Sequence, residues 1–142
     1  MIGDDLAKLF DDRERGAPFR WAALARSYPI ERVRVTEDHL TITFANGARL
    51  VLTDEGQSCC EHRYMSCDDD LPSLAGGYLD AVELAEGPDI EGGCDCHETM
   101  FLKVRTSKGD FTVVTHNEHN GYYGGFDITP HWEENADDNR DR

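Results

Sequence analysis

The chain has 142 residues and a mass of 16.0 kDa, which is the size of one domain built around one hydrophobic core. Its 39% of hydrophobic and 9% of aromatic residues suffice for such a core, so the composition excludes a wholly disordered chain. No apolar run of about 18 residues is present, and residues 1–10 lack the basic start and apolar stretch of a signal peptide. We therefore expect a soluble cytoplasmic protein that makes no membrane contact.

The charge is strongly acidic and unevenly distributed. Against 29 Asp and Glu there are 14 Lys and Arg, which gives a net charge of −15, and no basic residue occurs between Arg63 and Lys103. Because such a field repels phosphate backbones, the composition excludes direct nucleic-acid binding. A decoy that imitates nucleic acid stays open as an alternative, and it would need these acidic residues on one face: Asp68, Asp69, Asp70, Asp80, Glu83, Glu86, Asp89, Glu91 and Asp95.

The first half of the chain predicts helices followed by a three-stranded meander. Helical spacing of apolar residues and the breaks at Gly16 and Pro29 predict one or two helices within residues 1–29. Apolar and polar residues then alternate at period two in segments 33–35, 40–44 and 50–52, which is typical of strands. Asn46-Gly47 supplies the turn of a tight hairpin between the last two strands.

The second half predicts a further strand, a hairpin and a tail. Residues 57–70 show no clear period and indicate a loop or an irregular strand, after which Asp69 or Asp70 would cap a short helix over 71–74. Strands are expected at 78–86, 100–106, 110–116 and 126–129, with a polar turn over 116–125. The fold class is therefore α+β with a mainly antiparallel sheet. We expect one domain over 1–132, with a helical part at 1–29 and a sheet-rich core at 30–129. A disordered acidic tail is expected at 133–142.

Cysteine and histidine residues form the first candidate site. Five cysteines without a secretory signal indicate reduced thiols rather than a disulfide framework. Zinc takes four thiolate or imidazole ligands from two loops, so a zinc site is one interpretation of the pattern, and core packing of the cysteines is the other. The candidate ligands are Cys59, Cys60, His62, Cys67, Cys94, Cys96 and His97.

A polar segment directly after a strand forms the second candidate site. Residues 116–126 carry imidazoles, carboxamides, a carboxylate and phenols beside three glycines, a set that can recognise a polar ligand. Arg63 is the cation nearest the cysteine segment and is expected to pair with an anionic ligand group. The predicted ligand-binding residues are Glu61, Arg63, Tyr64, His116, Asn117, Glu118, His119, Asn120, Tyr122 and Tyr123.

The segments CCEHRYM (59–65) with DDDL (68–71), and HNEHNGYYGGF (116–126), resemble those of a family of small proteins of unknown function from tailed bacteriophages and prophages. The resemblance covers residues 40–128 and implies an accessory protein of an infected bacterial cell. We expect a non-enzymatic protein that binds a host protein or sequesters a small polar ligand. The enzymatic alternative is a zinc-dependent hydrolase, with Glu61 or Glu118 as general base and an ion held by some of Cys59, Cys60, His62, His97, His116 and His119. A protein with a structural zinc ion in the Cys/His cluster is the other zinc-binding alternative.

Overall fold

The computed structural model describes residues 25–56, 61–87, 96–119 and 125–134. Within these ranges the chain is almost entirely strand, and its helical content is limited to residues 25–27 and a single 3₁₀ turn at Leu71–Leu74. The predicted helices before residue 25 lie outside the described residues. The prediction of a mainly antiparallel sheet is thus confirmed, while very little helix accompanies it.

Eight strands form two four-stranded antiparallel sheets. The first sheet has the order β1-β2-β3-β8, with β1 at Ile30–Val35, β2 at His39–Phe44, β3 at Arg49–Asp54 and β8 at Ile128–Glu133. The second has the order β4-β7-β6-β5, with β4 at Glu61–Ser66, β5 at Leu79–Glu86, β6 at Cys96–Thr106 and β7 at Gly109–His119. The predicted meander is β1 to β3, and the predicted second hairpin is β6 to β7.

Both sheets bury one face in a single hydrophobic core, as the period-two alternation requires. The first sheet contributes Ile30, Val33, Leu40, Ile42, Phe44, Leu50, Leu52 and Ile128, and the second contributes Met65, Leu79, Val82, Leu102, Val104, Phe111 and Val113. Gly47 has a φ of 92° in the β2–β3 turn, and the Asn46 side chain accepts a hydrogen bond from the backbone of Ala48. The Asn-Gly signal for this turn is therefore confirmed.

Several local predictions need correction. Residues 61–66, predicted as part of a loop or an irregular strand, form a strand paired with β7 along its whole length without a register shift. Strand β7 continues to His119, where a turn was predicted. The last strand runs through Pro130, which an edge strand tolerates because one side of its backbone needs no hydrogen bond. Asp70 makes no side-chain cap on the 3₁₀ turn, and the Asp69 carboxylate instead accepts a hydrogen bond from the backbone N–H of Thr112.

Candidate functional site

The polar residues of β7 are divided between the two faces of the second sheet. Along β7 the side chains of Thr115, Asn117 and His119 are buried on the core side, whereas His116 and Glu118 lie on the opposite, outer face. The neighbouring strand β4 alternates in the same way. The predicted recognition segment therefore builds two different polar sites.

The outer face carries a cluster that we call the outer histidine patch, defined by His62, Tyr64, His97, His116 and Glu118. Cross-strand pairing aligns it, since Tyr64 is opposite His116, and Glu118 lies between His62 and His97. The Tyr64 hydroxyl donates a 2.6 Å hydrogen bond to Glu118 Oε2, and the Tyr64 and His116 rings stack at a centroid distance of 4.3 Å and an angle of 6°. His97 Nε2 lies 3.0 Å from His116 Nδ1.

Electrostatics set the protonation states of Tyr64, Glu118 and His116 in this patch. Burial raises the pKa of Tyr64 to about 12, and the hydrogen bond to Glu118 adds to the effect, so its hydroxyl remains a donor at neutral pH. That same hydrogen bond lowers the pKa of Glu118, which stays ionised. Burial, together with the nearby His97, lowers the pKa of His116 and keeps its ring neutral. The patch thus presents the ionised Glu118 carboxylate beside the protonated Tyr64 phenol and the neutral His116 ring.

The core-facing side of the second sheet holds a buried ion network beneath the patch. Arg63 donates to both oxygens of Asp54 at 2.9 and 3.0 Å and to both oxygens of Glu61 at 2.9 Å. Asp54 belongs to β3 and Arg63 to β4, so this ion pair links the two sheets. Asn117 extends the network by donating to Glu61 Oε2 and to the carbonyl of Gly125, each at 3.1 Å.

Arg63 is held by this network on the inside of the protein. Its side chain is 6% exposed, and those of Asp54 and Glu61 are 7% and 0% exposed. Although burial alone lowers the pKa of Arg63, its hydrogen bonds to Glu61 and Asp54 raise the pKa overall. Two carboxylates therefore already compensate its charge, and we assign the network a structural role.

A second polar contact lies at the end of the same inner face. His119 Nε2 is 3.1 Å from Glu98 Oε1, and the backbone N–H of Gly125 donates to that oxygen at 2.9 Å. Glu98 and Gly125 line an open cleft of about 450 Å³ together with Glu86, Gly87, Thr99, Met100 and Phe126. His119 is thus directed to a carboxylate of this cleft and away from the outer histidine patch.

The structure brings together three of the predicted ligand-binding residues, namely Tyr64, His116 and Glu118. It places Glu61, Arg63, Asn117 and His119 on the inner face, while Asn120, Tyr122 and Tyr123 lie outside the described residues. Which of these residues bind a ligand stays a prediction.

The predicted metal ligands are distributed in a similar way. His62 and His97 join the outer histidine patch, Cys96 is exposed at the start of β6, and Cys67 is half-buried just beyond β4. Five strand positions separate Cys67 from His62, which is about 17 Å. Cys59, Cys60 and Cys94 are outside the described residues. Within the part of the chain that is described, no group of three or more His, Cys, Asp or Glu residues is arranged to hold a metal ion.

The acidic residues proposed for a decoy surface lie at two places. Asp68, Asp69 and Asp70 follow β4, while Asp80, Glu83 and Glu86 belong to β5, which is at the opposite edge of the second sheet. Asp89, Glu91 and Asp95 are outside the described residues. The decoy hypothesis therefore stays a prediction.

Sequence reasoning missed Ser66, Asp54 and Glu98 as partners of the predicted site residues. Ser66 Oγ lies 3.0 Å from His116 Nε2, although 50 positions separate the two residues in the chain. Only the pairing of β4 with β7 brings them together. Period-two counting from Tyr64 would have placed Ser66 on the same face, had the strand been recognised.

These features define a protein of two antiparallel sheets with a polar patch on one outer face and a buried ion network behind it. The model of a family described as a domain of unknown function, DUF7448, matches residues 24–128, and the chain belongs to this family. No curated protein and no solved structure matches this chain. No helix among the described residues is both long enough and apolar enough to cross a bilayer.

Proposed function

We propose that this chain is a bacteriophage accessory protein that binds a host protein or a small polar ligand in the host cytoplasm through the outer histidine patch. The phage origin rests on the resemblance of residues 59–71 and 116–126 to small phage proteins. The binding function rests on one structural observation, which is that three adjacent strands place three imidazoles, a phenol and a carboxylate in mutual contact on one face.

The contacts within the patch hold its side chains in fixed directions. Tyr64 is stacked on His116 and bonded to Glu118, and the His62 ring lies 4.8 Å from the Tyr64 ring. Ordering these groups before binding reduces the entropy lost on association. His62 is exposed, and 42% of the Glu118 side chain is accessible, so the ordered groups remain open to a partner.

The protonation states indicate which partner groups fit. The ionised Glu118 carboxylate accepts hydrogen bonds and adds a negative charge to a chain of net charge −15. The expected partner therefore offers hydrogen-bond donors, such as an ammonium, guanidinium or amide group.

Histidine ring NMR tests this proposal. The chain has six histidines, of which His62, His97 and His116 belong to the patch and His39, His119 and His131 do not. Fractions of a bacterial host extract and a set of small amines and amides serve as probes. We expect a binding fraction or compound to shift the ring signals of the three patch histidines and to leave those of His39 and His131 in place.

Two variants separate specific binding from unfolding. Because His62 and Glu118 are accessible, His62→Ala and Glu118→Gln should keep the fold and weaken binding at least tenfold. His131→Ala is the matched control, since His131 is an exposed histidine with a carboxylate partner, Glu55, at 2.6 Å on the first sheet. A partner that binds all three variants equally, or that shifts only His39 or His131, would refute the assignment of the patch.

A further inference from the structure

Three side chains on the outer face of the second sheet form a continuous row of hydrogen bonds across adjacent strands. Ser66 on β4 places its Oγ 3.0 Å from Nε2 of His116 on β7, and Nδ1 of the same ring lies 3.0 Å from Nε2 of His97 on β6. A hydroxyl, a basic ring and a group that orients the ring, each within hydrogen-bond distance of the next, are the parts of an activated nucleophile.

Two tautomer arrangements satisfy both contacts, and the following one makes the Ser66 hydroxyl the donor. The Ser66 hydroxyl donates to Nε2 of His116, the Nδ1–H of His116 donates to Nε2 of His97, and His97 carries its own proton on Nδ1. In this arrangement the lone pair of His116 Nε2 points at the Ser66 hydroxyl. His116 is then positioned to take the Ser66 proton.

The surroundings of His116 suit a general base. Tyr64 stacks on the ring at 4.3 Å and holds its plane, and burial keeps the pKa of His116 below the usual value, so the ring is unprotonated at neutral pH. The Glu118 carboxylate, whose Oε2 is 3.9 Å from Nε2 of His97, favours by its charge the positive charge that His116 gains on taking a proton. Ser66 itself is exposed, so a substrate can reach its oxygen.

We propose that Ser66 is a nucleophile for acyl transfer, with His116 as its general base and His97 as the residue that positions His116. The substrate class is a small activated ester, because the face is open and such an ester has a leaving group that departs easily. This activity goes beyond the proposed binding function and does not depend on it.

The reaction balances without any further reactant except water. Ser66 Oγ attacks the carbonyl carbon while its proton passes to His116 Nε2; the bond from carbon to the leaving oxygen then breaks, and His116 returns the proton to that oxygen. An ester of Ser66 remains. His116 next takes a proton from water, the resulting hydroxide attacks the ester carbon, and Ser66 leaves with the proton, which yields a carboxylic acid and regenerates the site.

A fluorophosphonate probe tests the nucleophile directly, because the reaction forms a bond from Ser66 Oγ to phosphorus and releases fluoride. We expect mass spectrometry of the full chain to show one adduct, located on Ser66 by peptide mapping. Ser66→Ala should abolish the adduct, and His116→Ala should slow labelling roughly a hundredfold or more. Ser73→Ala is the matched control, because Ser73 is an exposed serine bonded only to the carbonyl of Asp70 in the described structure.

The role of His97 requires a measurement that a purely structural residue would not change. The groups facing His116 are His97, Glu118, Tyr64 and Ser66, and His97 is the one whose Nε2 accepts the hydrogen bond of His116 Nδ1–H in the proton arrangement above. His97→Ala should therefore slow labelling, whereas His97→Gln, whose amide oxygen can accept the same hydrogen bond, should restore part of the rate, with the fold of both variants confirmed by circular dichroism. A serine hydrolase in the same tube serves as the positive control for labelling. The proposal is overturned if that hydrolase is labelled and the wild-type chain is not. It is also overturned if the adduct persists in Ser66→Ala.

Discussion

The buried ion network behind the outer histidine patch makes a strong prediction about stability. In Arg63→Met, a side chain of similar length without charge replaces one that makes bonds to two carboxylates across the two sheets. Asp54 and Glu61 would then stay buried, at 7% and 0% exposure, without the cation that compensates them. We expect this variant to be among the most destabilising single substitutions of a polar residue in the described chain.

The magnitude follows from burial. Removing one partner of a buried ion pair typically costs about 3–5 kcal/mol, because the remaining charge keeps its desolvation penalty. At about 1.4 kcal/mol for each factor of ten, this lowers the folding equilibrium constant by roughly two to four powers of ten. Arg49 is the matched control, since its pair with Glu133 is 43% and 41% exposed. For an exposed pair of this kind Arg49→Ala should cost at most about 1 kcal/mol.

Urea unfolding followed by circular dichroism measures both variants. Arg63→Met should shift the midpoint to markedly lower urea with an unchanged slope, and Arg49→Ala should leave it nearly in place. Replacing the two acids as well, in Asp54→Asn/Glu61→Gln/Arg63→Met, should restore part of the loss because no buried charge is left unpaired. Equal small losses for Arg63→Met and Arg49→Ala would refute the argument from burial.

Three further predictions concern titratable groups. The pKa values of His116 and Glu118 lie below their ordinary values of 6.5 and 4.5, so the unfolded state binds protons more readily than the folded state. The free energy of unfolding should therefore fall as the pH drops below about 6.5. His116→Gln should flatten the upper part of this decline, as measured by urea unfolding at different pH values. The pKa of Tyr64 is raised to about 12 from 10.0, so its stabilising contribution should be lost as the pH rises above 10. Ultraviolet titration should show late ionisation of the Tyr64 phenol, which is missing in Tyr64→Phe. Burial raises the pKa of the half-buried Cys67, whereas Cys96 is exposed, so iodoacetamide should modify Cys96 before Cys67 in a timed mass-spectrometric assay. Equal rates of modification at Cys96 and Cys67 would contradict this difference in burial.

The segments that the sequence did not identify as regular strand, residues 61–66 and the end of β7 at 117–119, share one physical property. In β7 the core-facing positions after Val113 are Thr115, Asn117 and His119, so the hydrophobic alternation fades although the strand continues. The core-facing positions of β4 are Glu61, Arg63 and Met65, of which two are charged. Alternation reveals a strand only where buried positions are apolar, and here hydrogen-bonded polar groups occupy them.

The sequence by itself determined the strands whose buried positions are apolar, the Asn46-Gly47 turn and the mainly antiparallel architecture. These features depend on interactions between near neighbours in the chain, which leave a local pattern. Tertiary structure decided which strands share a sheet and made residues 61–66 a strand, whose alternation places Arg63 and Tyr64 on opposite faces. It also brought Ser66, His116 and His97 into one row, because a cross-strand contact depends on strand order and register, and these are set by the packing of the whole core.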